Sequence, residues 1–89
     1  MSVSGNDRVL VAQLRRGDPE AQGWLLQRYG EPLVHFLIAT VQTDPAEAED
    51  IAIDTLYRAI ERIDSFVERP GASPYSFRNW LFAIARNLG

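Results

Sequence analysis

Hydrophobic residues in this chain recur at three- and four-residue steps, the spacing of helices that bury one face. The first such stretch runs from about Asn6 to Arg16, with Val9, Leu10, Val11, Ala12 and Leu14 forming a partial apolar face. Gly17 follows, where a helix end favours a left-handed residue. Asp18-Pro19-Glu20 then restarts a helix, with Asp as N-cap, Pro at the first helical position and Glu in the first turn. This second helix carries Ala21, Trp24, Leu25 and Tyr29. Gly30 and Pro32 predict a kink or a split in it. Leu33, Phe36, Leu37, Ala39, Thr40 and Val41 continue the apolar pattern beyond.

Asp44-Pro45-Ala46-Glu47 repeats the start signal, now in capping-box spacing. In the helix that follows, Ala48, Ile51, Ala52, Thr55, Leu56, Ala59, Ile60 and Ile63 share one face on a wheel of about 100° per residue. Glu47, Asp50, Asp54, Arg58 and Glu61 cluster on the opposite arc. Ile53 and Tyr57 sit at the edge of that arc, where a solvated helix favours polar groups. Val67 to Ser73 reads as a loop turning at Pro70-Gly71. Ser73-Pro74 or Ser76 caps the last helix, which reaches about Leu88. Phe77, Trp80, Leu81, Ile84, Ala85 and Leu88 face inward, and Arg78, Asn79, Phe82, Ala83, Arg86 and Asn87 are left outside. Strand-type alternation of useful length is absent. The expected fold is all-α, a small bundle of about four helices in a single domain over residues 1–89, with residues 1–8 flexible.

Composition narrows the function classes. The apolar fraction is 46% and the charged fraction 24%, which excludes a disordered tail and a collagenous or low-complexity segment. Without cysteine, a disulfide scaffold and a thiolate metal site are excluded. The single histidine, His35, excludes a multi-histidine metal site and reads as a structural side chain among apolar neighbours. No apolar run reaches the roughly 18 residues of a membrane span, and Met1 to Arg8 has no apolar signal core. The expected compartment is therefore the cytoplasm.

Charge is uneven along the chain. Residues 1–43 are neutral, residues 44–68 carry −6 and residues 69–89 carry +3, with arginine as every cation. An acidic middle beside a basic end suggests two different partners. No glycine-rich phosphate loop follows a strand, and no cysteine or histidine nucleophile system is present. Ser73 and Ser76 are explained as caps. Glu47, Glu49, Asp50 and Asp54 lack a helical Glu-x-x-His partner and face solvent, so neither enzyme activity, a metal nor another cofactor is expected. Arg78, Phe82 and Arg86 lie one turn apart on the last helix, with Asn79 and Asn87 beside them. Arginine contacts phosphate, asparagine reads a base edge, and an exposed aromatic or the preceding loop holds an unstacked base. An ordinary solvated face is the alternative on these residues alone. The acidic arc of the third helix is likewise either a solvated face or, given its Ile53 and Tyr57 margin, a protein interface.

Two long motifs resemble a known family. Asp44-Pro-Ala-Glu-Ala-Glu-Asp-Ile51, continued by Asp54-Thr-Leu-Tyr-Arg-Ala59, looks like the core-binding segment of extracytoplasmic-function sigma factors of the sigma-70 family. Phe77-Arg-Asn-Trp-Leu-Phe-Ala-Ile-Ala-Arg-Asn-Leu88 looks like their promoter-recognition helix, and Leu10 to Tyr29 matches their opening segment. The resemblance implies a region 2 domain that docks on the β′ clamp helices of core RNA polymerase. It also implies recognition and melting of the promoter −10 element, with capture of a flipped non-template base. Carried over, Asp50, Ile53, Asp54, Leu56, Tyr57, Arg58 and Glu61 fall on the polymerase-binding helix. Arg78, Asn79, Ala83, Arg86 and Asn87 fall on the DNA face, joined by Arg69, Ser73 and Tyr75 from the base-capturing loop at residues 67–75. Trp80 is expected in the core. An anti-sigma factor is a further implied partner. The family usually has Gln where this chain has Ile53, and the loop carries Pro70, Gly71 and Pro74. The family's second helical domain, which reads the −35 element, is absent from this sequence, which reads as a fragment of a longer factor, with a naturally short protein as the alternative. The competing reading is a sigma-like interaction module that binds polymerase or an anti-sigma factor without melting DNA.

Overall fold

A computed structural model of the chain describes residues 7–68, 71, 73 and 75–89. Four α-helices follow one another: α1 (Arg8–Arg15), α2 (Pro19–Phe36), α3 (Pro45–Glu61) and α4 (Ser76–Leu88). A π-helical segment, Leu37–Val41, extends α2, and a 3-10 turn, Ile63–Ser65, follows α3. No strand occurs among the described residues. Residues 1–6 of the expected flexible lead, with Arg69, Pro70, Ala72 and Pro74, lie outside the described residues.

Local chemistry sets each helix boundary. After α1, the Gly17 N–H donates to the Leu14 carbonyl at 3.0 Å and the Asp18 N–H to the Gln13 carbonyl at 3.1 Å. These two bonds form a Schellman motif, and they require the left-handed φ of +76° at Gly17. Asp18 Oδ1 accepts from the Glu20 N–H at 3.0 Å, so the chain restarts at once as α2. Asp44 caps α3 in the same manner, accepting from the Glu47 N–H at 2.8 Å.

The bundle packs α2 against α1 and α3, and α3 against α4. Leu25, Leu33, Leu37 and Leu81 are fully buried at its centre, and Ala21, Ala48, Ala52, Ala59 and Ala85 let the helices approach closely. An aromatic group joins α2 to α4: the Phe82 ring lies 4.9 Å from Phe36, and Phe77 lies 6.0 Å from Tyr29 and 5.5 Å from Phe66. These are edge-to-face contacts, the arrangement favoured by the ring quadrupoles. At the far end of α1, the buried Asp7 carboxylate accepts a hydrogen bond from the Tyr29 hydroxyl and lies 2.9 Å from Arg28 Nε.

Several expectations are corrected. Pro32 does not split α2, which runs unbroken to Phe36 with the proline inside it. Proline removes one backbone donor there, while burial of Tyr29 and Leu33 on either side holds the helix against the core. Val9, Ala12, Trp24, Ala39 and Thr40 were expected on apolar faces but are exposed, because α1, α2 and the π segment each bury a narrower stripe. Neither Ser73 nor Ser76 is the N-cap of α4; that position is Tyr75, without a side-chain capping bond. Phe82, expected outside, is 7% exposed because Phe36 and Tyr29 of α2 cover it.

Candidate protein-docking and nucleic-acid interfaces

The capped start and single apolar stripe of α3 leave one face to solvent. Asp50, Ile53, Asp54, Tyr57 and Glu61 all lie on it and are exposed, with Ile53 at 48% and Tyr57 at 65%. Glu47 and Glu49 extend its negative charge towards the helix start. Negative groups are favoured there by the helix dipole. Arg58 is half-buried, and its Nε lies 3.5 Å from Asp54 Oδ1, one turn away. The arginine thus tempers the face instead of adding a free cation. Leu56 does not belong to this surface. It is 3% exposed and packs in the core, since its position in the helical repeat puts it with Ala52 and Ala59. Among the described residues, no group of three histidine, aspartate or glutamate side chains could hold a metal ion.

Helix α4 presents a second face of different chemistry. Arg78, Asn79, Ala83, Arg86 and Asn87 are all exposed on it. Among the described residues no carboxylate pairs with Arg78 or Arg86, so both charges remain available to a ligand. The Arg78 guanidinium lies over the Phe82 ring at 4.4 Å from its centroid. Opposite this face, Phe77, Leu81 and Ala85 are buried and Trp80 is half-buried, 5.3 Å from Phe66. Trp80 therefore serves to seat the helix, as expected.

The loop before α4 is anchored at both ends. Ser73 Oγ accepts from the Tyr75 N–H at 3.0 Å, and Ser76 Oγ donates to Glu68 Oε2 at 3.3 Å. Tyr75 is 54% exposed and Val67 73% exposed. Arg69 lies outside the described residues. Two groups of α1 that the pattern analysis did not single out hold the start of the loop. Arg15 donates to the Phe66 carbonyl, and Arg8 Nε meets Glu68 Oε1 at 3.0 Å. A cavity of about 210 Å³ opens between these residues, Val11 and Phe77. No periodicity signals such tethers, because they connect residues 51 and 60 positions apart.

Comparison with known proteins points the same way as this geometry. The family described as Sigma-70 region 2 matches residues 25–88. The chain is 33% identical over 79 residues to the ECF RNA polymerase sigma factor BldN of Streptomyces coelicolor, covering 89% of this chain and 28% of that protein. It is 32% identical over 88 residues to the RNA polymerase sigma factor CnrH of Cupriavidus metallidurans, covering 98% of this chain and 42% of that protein. The chain therefore spans less than half the length of either relative. No solved structure matches it.

Proposed function

Because the chain belongs to the Sigma-70 region 2 family, we propose that it is the domain of an extracytoplasmic-function sigma factor that docks on core RNA polymerase and engages the promoter −10 element. Helix α3 docks on the β′ clamp helices. Helix α4, with the loop before it, holds the separated non-template strand. The observation that carries this reading is the division of charge between two solvent faces. Acidic Asp50 and Asp54 lie beside Ile53 and Tyr57 on one helix, while Arg78 and Arg86, without a carboxylate partner among the described residues, lie beside asparagines on another.

Opposed charge at an interface steers encounter and fixes register, while the apolar residues supply the desolvated centre. An anti-sigma factor that covered Ile53 and Tyr57 would compete with polymerase for this face. On the DNA side, melting is favoured by contacts that only unpaired bases can make. Residues 69–89 carry three arginines, so the domain alone binds DNA weakly and with strong salt dependence. Engagement of promoter DNA then depends on polymerase. In the described residues no helix is long and apolar enough to cross a membrane, which fits a partner in solution.

The test is capture of purified core polymerase by the immobilised chain. An Asp50→Arg, Asp54→Arg double variant loses at least about tenfold in affinity, since it sets like charges against a basic partner. Undiminished capture by a folded double variant would refute the docking face. Arg86→Glu retains polymerase but loses capture of single-stranded −10 DNA by the polymerase–domain complex. If DNA capture survives that change, the chain is a docking module that does not handle DNA.

A further inference from the structure

We propose that Phe82 is a positioning residue for DNA, whose buried ring holds the Arg78 guanidinium in place so that its free N–H groups meet a phosphate or base already positioned. This inference rests on the reading of α4 as the DNA face, and deepens it by assigning a role to a side chain that cannot itself reach a ligand.

The geometry is specific. Phe82 lies one helical turn after Arg78, and the guanidinium carbon sits 4.4 Å from the ring centroid. The ring is clamped: Phe36 meets it edge-to-face at 4.9 Å and Tyr29 at 6.3 Å. At 7% exposure it presents little but the face that Arg78 covers. Arg78 is exposed, and no described carboxylate competes for its donors. A guanidinium held over a ring by cation–π attraction keeps the N–H donors that point away from the ring unengaged. Those donors are the ones that form paired bonds to phosphate oxygens or to a guanine edge. A free arginine loses rotamer freedom when it binds, whereas Arg78 has already been restricted by folding. No described ring stacks under Arg86, the other arginine of this face, so it serves as an internal control.

The full chain is titrated against a fluorescein-labelled, mixed-sequence single-stranded DNA 12-mer by anisotropy over a range of salt. Arg78→Ala weakens binding and makes the logarithmic salt slope shallower by about 0.7, one phosphate contact on a single strand. Phe82→Leu weakens binding about two- to fivefold, the range of an exposed cation–π contact, and leaves the slope unchanged because the charge remains. In the Arg78→Ala background Phe82→Leu has no further effect. Phe82→Tyr, which retains the ring, binds as the unaltered chain does. The proton NMR spectrum of the unaltered chain supplies a measurement independent of any variant: the Arg78 Hδ resonances are shifted upfield by the ring. Wild-type affinity in Phe82→Leu overturns the proposal, as does an equal loss in the Arg78→Ala background or the absence of the upfield shift. Unaltered binding and salt slope in Arg78→Ala would instead sink the assignment of α4 as the DNA face, and this inference with it.

Discussion

Asp7→Ala removes the acceptor at the centre of the Asp7–Tyr29–Arg28 group and so tests what fixes α1 to the bundle. The Asp7 side chain is 3% exposed, the Tyr29 hydroxyl donates to it, and Arg28 Nε lies 2.9 Å away. Loss of the charged acceptor forfeits about 1.5–3 kcal/mol for the tyrosine bond and leaves a buried hydroxyl without its acceptor. The Arg28 side chain is 33% exposed and keeps access to water, so the broken ion pair adds only about 1 kcal/mol. The sum is about 3 kcal/mol. In a domain of this size that lowers the melting temperature by about 12–24 °C. Tyr29→Phe spares the Asp7–Arg28 pair and loses only the tyrosine bond, about 1.5–3 kcal/mol. Urea unfolding followed by circular dichroism at 25 °C measures both changes and their double variant. The coupling energy between the two sites is expected at about 1 kcal/mol or more. Strictly additive losses, or an Asp7→Ala loss below about 0.5 kcal/mol, would show that the Asp7–Tyr29–Arg28 group does not fix α1 to the bundle.

Three other outcomes follow from the same structure. Burial first, and then the neighbouring Asp7 carboxylate, push the Tyr29 hydroxyl from 10.0 up to about 12. Its contribution is therefore complete below pH 10 and is lost as pH rises from 10 through about 12; urea midpoints across that range fall for the unaltered chain and much less for Tyr29→Phe. Gly17→Ala lowers stability by about 1–2 kcal/mol, all of it backbone strain, because the left-handed φ of +76° is kept and an added Cβ meets nothing within 4 Å; a stability unchanged in urea would contradict the Schellman assignment. Leu56→Ala lowers stability by about 2–5 kcal/mol, whereas Tyr57→Ala shifts it by no more than about 0.5 kcal/mol and weakens polymerase capture instead.

Helix α3 was legible residue by residue, since its cap, its stripe and its solvent arc are all local consequences of a 3.6-residue repeat. The exposure of Asp50, Asp54, Arg78 and Arg86 followed from that repeat too. Leu56 shows where motif resemblance misleads: it lies within the matched segment, yet its helical phase places it in the core. Phe82 shows the converse. Its phase on α4 faces outward, and the approach of Phe36 and Tyr29 from α2 buries it. Pro32 and Trp24 failed for a related reason, because packing of the neighbouring helices overrides local preference and narrows the buried stripe. Asp7 was invisible, since a carboxylate near a chain end reads as solvated until the Tyr29 and Arg28 groups come together around it.

The tethers from α1 have a consequence for how this domain can be divided. The Sigma-70 region 2 match begins at Leu25, but Leu10, Val11, Leu14 and Ala21 contribute core surface before that point, and Arg8 and Arg15 hold Glu68 and Phe66 ahead of α4. A truncation that starts at Leu25 would keep every side chain assigned to docking and to DNA while cutting away the brace beneath Phe66 and Glu68. The matched region is thus shorter than the packed unit. Changes in α1 therefore act on the segment ahead of α4 without touching either exposed face.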